Sequence, residues 1–152
     1  MTAVIQRVFS AKVYADGEFS GEIENGLYIL LGVMNGDDKL DADLLAEKIS
    51  KLRIFSDYAG KMNLSVKDVE GGVLVVSNFT LGANYSHGNR PDYFAAREPK
   101  EANELYEYFV SSISKKVKLC QTGKFGADMK SELVTDGPVT IVMQSDVLRG
   151  GK

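Results

Sequence analysis

Chemistry-bearing side chains are scarce in this chain. It holds one cysteine and one histidine. A lone cysteine, Cys120, excludes an internal disulfide and fits a reducing compartment. One histidine and one cysteine cannot make a zinc cluster of the usual spacing. A Ser-His-Asp triad would have to use His87, which lies in Gly82-Ala83-Asn84-Tyr85-Ser86-His87-Gly88-Asn89. That is loop composition, in which a solvated histidine is the default reading. Cys120, in Val117-Lys118-Leu119-Cys120, reads as a half-buried small apolar residue. Long apolar runs are also lacking. No window approaches the length of a membrane span, and the N-terminus has no basic region followed by an apolar stretch. A cytoplasmic location is therefore expected. Positive charge is not in excess, with 18 Lys and Arg against 21 Asp and Glu and a formal net charge of -3. That balance argues against coating nucleic acid nonspecifically and leaves room for local recognition of one RNA end.

What is present is enough for one domain over residues 1–152. With 44% hydrophobic residues the chain can bury a core without disulfides or a structural metal. Ala3 to Phe9 alternates with strand periodicity, placing Arg7 on one face with Ile5 and Phe9. Arg7 is either an edge charge or a buried guanidinium bracing polar backbone elsewhere. Asp16-Gly17 and Asn25-Gly26 both predict hairpin turns. Leu27 to Val33 reads as a central strand. Asp37 or Asp38 caps a helix reaching about Lys51, with Leu40, Leu44, Leu45, Ile49 and Leu52 as its apolar face. A short strand over Leu52 to Phe55 and the turn Asp57 to Gly60 follow, and Met62 and Leu64 lead on to Gly71-Gly72. Pro99 opens a second helix whose Ala102, Leu105, Tyr106, Phe109 and Ile113 recur at helical steps. Those residues read as core, and the small Ala102 leaves space near the helix start. Strands are expected at Val117–Thr122, Ser131–Thr135 and Val139–Met143. Some eight strands and two helices, not in strict βαβ alternation, indicate an α+β fold. Its expected layers are two packed β-sheets forming a barrel-like core with the two helices outside.

Two stretches stand out. Val73-Leu74-Val75-Val76 is continuously apolar, the mark of a strand buried on both faces, and then turns polar in Ser77-Asn78-Phe79-Thr80-Leu81. Such an end sets hydrogen-bonding groups at the rim of a core, where pockets form, although Ser77 and Thr80 also suit simple capping of a strand end. Far downstream, Asp136-Gly137-Pro138-Val139-Thr140 interrupts two strand patterns. Glycine there frees the backbone, and proline fixes φ and is the common site of a cis peptide. Alone it reads as a tight turn.

Taken in order, Ser77-Asn78-Phe79-Thr80-Leu81 and Asp136-Gly137-Pro138-Val139-Thr140 resemble the paired signatures of the D-aminoacyl-tRNA deacylases. The resemblance extends to Val4-Ile5-Gln6-Arg7-Val8, Leu52-Arg53-Ile54-Phe55, Gly60-Lys61-Met62-Asn63-Leu64, Gly88-Asn89-Arg90-Pro91 and Thr122-Gly123-Lys124-Phe125-Gly126-Ala127-Asp128-Met129. The family more often carries Gln at the place of Asn78 and Asn at that of Thr135, so each departure alters a polar side chain.

The resemblance implies hydrolysis of the ester joining a D-amino acid, or glycine, to the terminal adenosine of tRNA, with no metal or cofactor. It implies a homodimer with its active sites at the interface. Gly137 and Pro138 of one subunit, joined by a cis peptide, enter the other's pocket as a chiral filter that rejects L-aminoacyl groups, and Arg7 braces their loop. The backbone N–H groups of Phe79 and Thr80 are the expected oxyanion donors, with Ser77, Asn78 and Ala102 binding substrate. Thr80 is the one side chain in the signatures that suggests a nucleophile, but no base stands near it in sequence. Backbone donors and the substrate's own 2′-hydroxyl are therefore the favoured catalysts, with Thr80 positioning. The alternatives are a non-catalytic nucleotide- or RNA-binding module and a threonine- or serine-dependent peptidase or esterase.

Overall fold

A computed structural model describes residues 1–150 of the chain. The first strand, β1 (Thr2–Ala15), turns through Asp16-Gly17 into β2 (Glu18–Ile23), which pairs with it antiparallel. Asp16 and Gly17 have φ of 50° and 82°, the positive values that a two-residue hairpin of this kind requires. The second expected hairpin is absent. β3 (Gly26–Gly32) pairs not with β2 but with the first half of β1, on the same edge that β2 occupies further along. Asn25-Gly26 is thus a corner between two strands lying end to end, and it needs a bare backbone for another reason. A Cβ on Gly26 would stand 1.9 Å from the Gly72 carbonyl oxygen.

From β3 the chain crosses over through helix α1 (Lys39–Lys51), then the small pair β4 (Phe55–Ser56) and β5 (Met62–Leu64), to β6 (Gly72–Ser77), parallel to β3. It passes through α2 (Pro99–Ser114) to β7 (Leu119–Thr122), parallel to β6. β8 (Met129–Gln144) returns along the free edge of β1 and ends in a third helix, α3 (Ser145–Arg149). The main sheet runs β2-β1-β3-β6-β7, with β8 on β1. This main sheet curls almost into a barrel, the barrel-like core expected of the α+β fold, and β4-β5 form a small second sheet. Ser20 of β2 closes part of the seam by donating from Oγ to the Thr122 carbonyl at 2.8 Å.

The curl explains the unbroken apolar runs of β3 and β6. Leu27, Ile29, Leu31, Val73 and Val75 face a core shared with the helices. Tyr28, Leu74 and Val76 face a second core inside the barrel with Val8, Val13 and Ile23. Both faces are buried, so alternation vanishes from the sequence. Phe109 and Ile113 of α2 are wholly buried, each worth roughly 1.5–3 kcal/mol. The inner face of α1 is Ala42, Leu45, Ala46 and Ile49, whereas Leu40 is exposed. Two alanines let this helix lie close on the sheet. Asp38 caps it, accepting from the Leu40 N–H at 2.9 Å, while Asp41 accepts from the Asp38 N–H at 2.8 Å.

β8 is one strand, not two separated by a turn. From Val8 to Gln6 the strand β1 advances two residues, while its partners on β8 run five, from Thr135 to Thr140. Three extra residues are accommodated as a bulge around Asp136-Gly137-Pro138. Among the described residues no helix is long and apolar enough to cross a membrane.

The unforeseen helix α3 is held by Arg149, whose Nε and Nη2 each donate at 2.8 Å to the Asp41 carboxylate and whose Nη2 also reaches Asp38. These bonds hold the Asp41 carboxyl far below the usual carboxylate range. A depressed folded pKa gives stability that is present above the unfolded value, near 4, and is lost as pH falls through the folded one. Arg149→Met should lower stability at pH 7, and only modestly because the guanidinium is partly solvated. It should also flatten the fall in stability between about pH 5 and pH 2, read from urea midpoints across that range.

Candidate active site at the end of the sixth strand

β6 stops where its partners stop. Its pairing with β7 ends at Val75 and Thr122, and its pairing with β3 at Ser77 and Leu31. Beyond this the Asn78 N–H donates to the Leu31 carbonyl at 2.8 Å, and Phe79–Gly82 turn into a single 3₁₀ turn. The Val75 carbonyl accepts from the Tyr106 hydroxyl at 2.8 Å and from the Gly123 N–H at 3.1 Å, tying α2 and the loop after β7 to the strand end. Burial raises the Tyr106 pKa further above neutrality, so its hydroxyl stays a donor.

A cavity of about 700 Å³ opens around this strand end. Ser77, Asn78 and Phe79 line one side. Pro99, Ala102 and Tyr106 of α2 form a second wall, and Phe125, Gly126 and Ala127 of the following loop a third. The cavity also reaches into the barrel mouth, between Tyr28 and Leu30 of β3, Val76, and Met129 and Ser131 of β8. Phe79 packs edge-on against Tyr93, with ring centroids 5.1 Å apart. The charges on the wall are committed. Arg97 donates to Glu101 at 2.7 Å and to the Asp37 carbonyl at 2.8 Å. Glu98 accepts from the Lys100 N–H at 2.6 Å and the Glu101 N–H at 3.2 Å.

Thr80 stands outside the cavity lining. Its Oγ1 donates to Asn78 Oδ1, and its N–H donates to the same oxygen at 3.2 Å. A neutral amide oxygen is no base, so nothing here activates the hydroxyl. The Phe79 N–H has no protein partner among the described residues, as befits the start of a helical turn. The other reactive groups are elsewhere. His87 is in an exposed loop with Ser86, and burial pushes the Cys120 thiol up to about 11, which makes it inert.

The residues matched to the deacylase family model run from 4 to 144, under the description D-Tyr-tRNA(Tyr) deacylase. The chain belongs to this family. A D-aminoacyl-tRNA deacylase of Geobacter metallireducens is 52% identical over 151 residues, 99% of this chain and 100% of its own. That of Koribacter versatilis is 54% identical over 145 residues, covering 95% and 97%. Among solved structures, a c-Myc DNA unwinding element binding protein superposes with TM-score 0.89 at 37% identity, over 95% of this chain and 98% of its own. A probable eukaryotic D-amino acid tRNA deacylase gives 0.83 at 11% identity over 94% and 99%, a likeness of fold alone.

The two signatures of this deacylase-family chain lie apart within the chain. Ser77, Asn78, Phe79 and Ala102 line the cavity, whereas Arg7, Gly137 and Pro138 do not. The latter three sit together at the β8 bulge, where the Gly137–Pro138 peptide is cis and Gly137 has φ of 130°. Arg7 faces the bulge from β1. It donates from Nη1 to the Ile54 carbonyl at 2.6 Å and from Nη2 to Asp136 Oδ1 at 3.2 Å. Its Nε lies 3.1 Å from Asp136 Oδ2 as an ionic contact without an aligned hydrogen bond. The guanidinium thus pins the residue beside Gly137, not Gly137 itself. Tyr28, Tyr93, Phe125, Met129 and Ser131 were not singled out by sequence reasoning. Of these only Tyr28, the one hydroxyl in the apolar run of β3, left a local signal.

Ala102 is 7% exposed and its methyl bounds the cavity. Ala102→Leu adds three carbons into that space on a helix that tolerates leucine well. Thermal stability should stay within about 1 kcal/mol of the parent. Turnover of any substrate held between β6 and α2 should fall at least roughly tenfold, measured as kcat/KM.

Proposed function

We propose that this chain hydrolyses the ester between a D-amino acid, or glycine, and the terminal adenosine of tRNA. The observation that carries the reading is a 700 Å³ cavity at the end of β6, walled by one signature, with the other signature displayed elsewhere on the same protomer. Water adds to the ester carbonyl, the bond to the ribose oxygen breaks, and that oxygen takes up a proton. The Phe79 N–H is available to the developing oxyanion. The Thr80 N–H joins it when Asn78 Oδ1 yields its 3.2 Å contact. With no side-chain base beside the carbonyl, the neighbouring 2′-hydroxyl of the ribose orients the water, and Thr80 keeps Asn78 in place.

Chirality is enforced in trans. Among the described residues β8 pairs only with β1, leaving its outer edge open, and Val134 and Val142 on either side of the bulge are exposed. An isologous dimer along this edge carries each Gly137-Pro138 into the partner's cavity and makes two equivalent sites. There the backbone stands where an L-side chain would lie and meets only hydrogen in a D-amino acid, whatever the side chain. Glycine passes the same filter. Gly137 is suited to the display because a Cβ there would meet the Val139 nitrogen at 2.7 Å.

Release of free tyrosine from matched D- and L-tyrosyl-tRNA tests the proposal. The D-ester should be cleaved and the L-ester spared, and a binding module would leave both intact. Gly137→Ala should lower D-tyrosyl-tRNA cleavage on the order of a hundredfold by displacing the bulge. Equal hydrolysis of both esters by the parent would remove the chiral filter.

A further inference from the structure

Inside the barrel mouth the cavity wall carries one polar feature. Strand alternation turns Tyr28 away from the helices and across the barrel, where its hydroxyl lies 2.6 Å from the Ser131 hydroxyl on β8. The tyrosine is 4% exposed, yet both residues line the cavity. Around them the wall is apolar, formed by Leu30, Val76 and Met129. Burial raises the Tyr28 pKa, although the bond to Ser131 works against the rise, so the phenol stays protonated at neutral pH.

Two hydroxyls bonded to each other consume one hydrogen. One O–H and several lone pairs remain, so the pair offers a donor and an acceptor at one spot. A phosphate would call for free cations, and an α-ammonium for carboxylates or converging carbonyls. Among the described residues, the side chains around this recess carry no charge. A flat neutral group with apolar faces and a donor beside an acceptor on its edge fits both the wall and the pair. The 6-amino group of adenine next to a ring nitrogen is such an edge. The sulfur of Met129 suits an aromatic face. The division of the substrate agrees: the terminal base never varies while the acyl group does, so a shaped, enclosed recess serves the base.

We propose that Tyr28 and Ser131 hydrogen-bond the edge of the substrate's terminal adenine and so position the ester at the end of β6. This inference rests on the deacylase reading. It makes Tyr28 and Ser131 binding residues, as distinct from a tie that merely holds β3 to β8.

The test uses the double variant Tyr28→Phe/Ser131→Ala, in which both hydroxyls go together and neither is left buried without a partner. D-tyrosyl-tRNA is prepared ending either in adenosine or in purine riboside, which has hydrogen in place of the 6-amino group. The parent should show a KM roughly three- to tenfold higher for the purine riboside end, with kcat little changed. The double variant should show a similar rise on the adenosine end and no further penalty on the other. A variant KM equal to the parent's would overturn the proposal. So would a variant that still distinguishes the two ends as the parent does, because the hydroxyls would then act only on the wall. If the double variant folds poorly, Tyr28→Phe alone, which keeps the Ser131 hydroxyl, should show a smaller part of the same contrast, and no change in it would overturn the proposal. Binding of adenosine and of purine riboside by calorimetry carries the contrast without turnover. A parent that binds adenosine more tightly through these hydroxyls yet cleaves no ester would leave this inference standing and overturn the deacylase reading.

Discussion

β1 is hydrogen-bonded along both edges, and the other strands of the main sheet take their places from it directly or through β3. Its inner edge carries β3 and then β2, while β8 runs the length of its outer edge. That arrangement curls the sheet until β2 meets β7, and it leaves β6 and β3 with two buried faces. It also sets the one large irregularity. Opposite Arg7 the strand β8 spends three extra residues, and those residues carry Gly137 and Pro138. Arg7 could lie unpaired in a half-buried place only at a cost of several kcal/mol, so Asp136 and the Ile54 carbonyl answer it. The bulge and the charge that holds it are specified together by two short stretches 129 residues apart.

Local rules carried much of the architecture. The Asp16-Gly17 hairpin, the capped α1, the proline-led α2 and the buried run of β6 each follow from a few adjacent residues. Asn25-Gly26 misled because its glycine answers a backbone from β6, not a turn, and nothing nearby in sequence reports that contact. The β8 pattern was split at Asp136-Gly137-Pro138 because a bulge and a turn share the same residues, and only the register on β1 separates them. Helix α3 depends on Arg149 meeting Asp41, a pairing 108 residues apart. Leu40 has core spacing, but the buried face of the helix runs through Ala42, Leu45, Ala46 and Ile49, and Leu40 in the first turn stands outside it.

The cavity was legible on one wall. The polar end of an apolar strand announced Ser77, Asn78 and Phe79, and a small residue at the start of α2 announced Ala102. Tyr28 and Ser131 were invisible as a pair because they meet across the barrel, 103 residues apart. Thr80, the one signature side chain that suggests a nucleophile and yet was expected only to position, donates its hydroxyl to Asn78. On the proposed reading the site is built from backbone amides, which have no residue-type signature, so one histidine and one inert cysteine in the sequence do not argue against a hydrolase family.

The central claim is that each site takes its pocket from one subunit and its filter from the other. Subunit mixing tests it most directly. Ala102→Leu impairs the pocket and leaves the bulge intact, while Gly137→Ala does the reverse. Homodimers of either variant should cleave D-tyrosyl-tRNA poorly. After subunit exchange in equal amounts, half the dimers are mixed, and each holds one site with an intact pocket and an intact filter, so about a quarter of parental activity should return. A mixture no more active than the two variants apart would show that pocket and filter belong to the same chain, and would contradict the account.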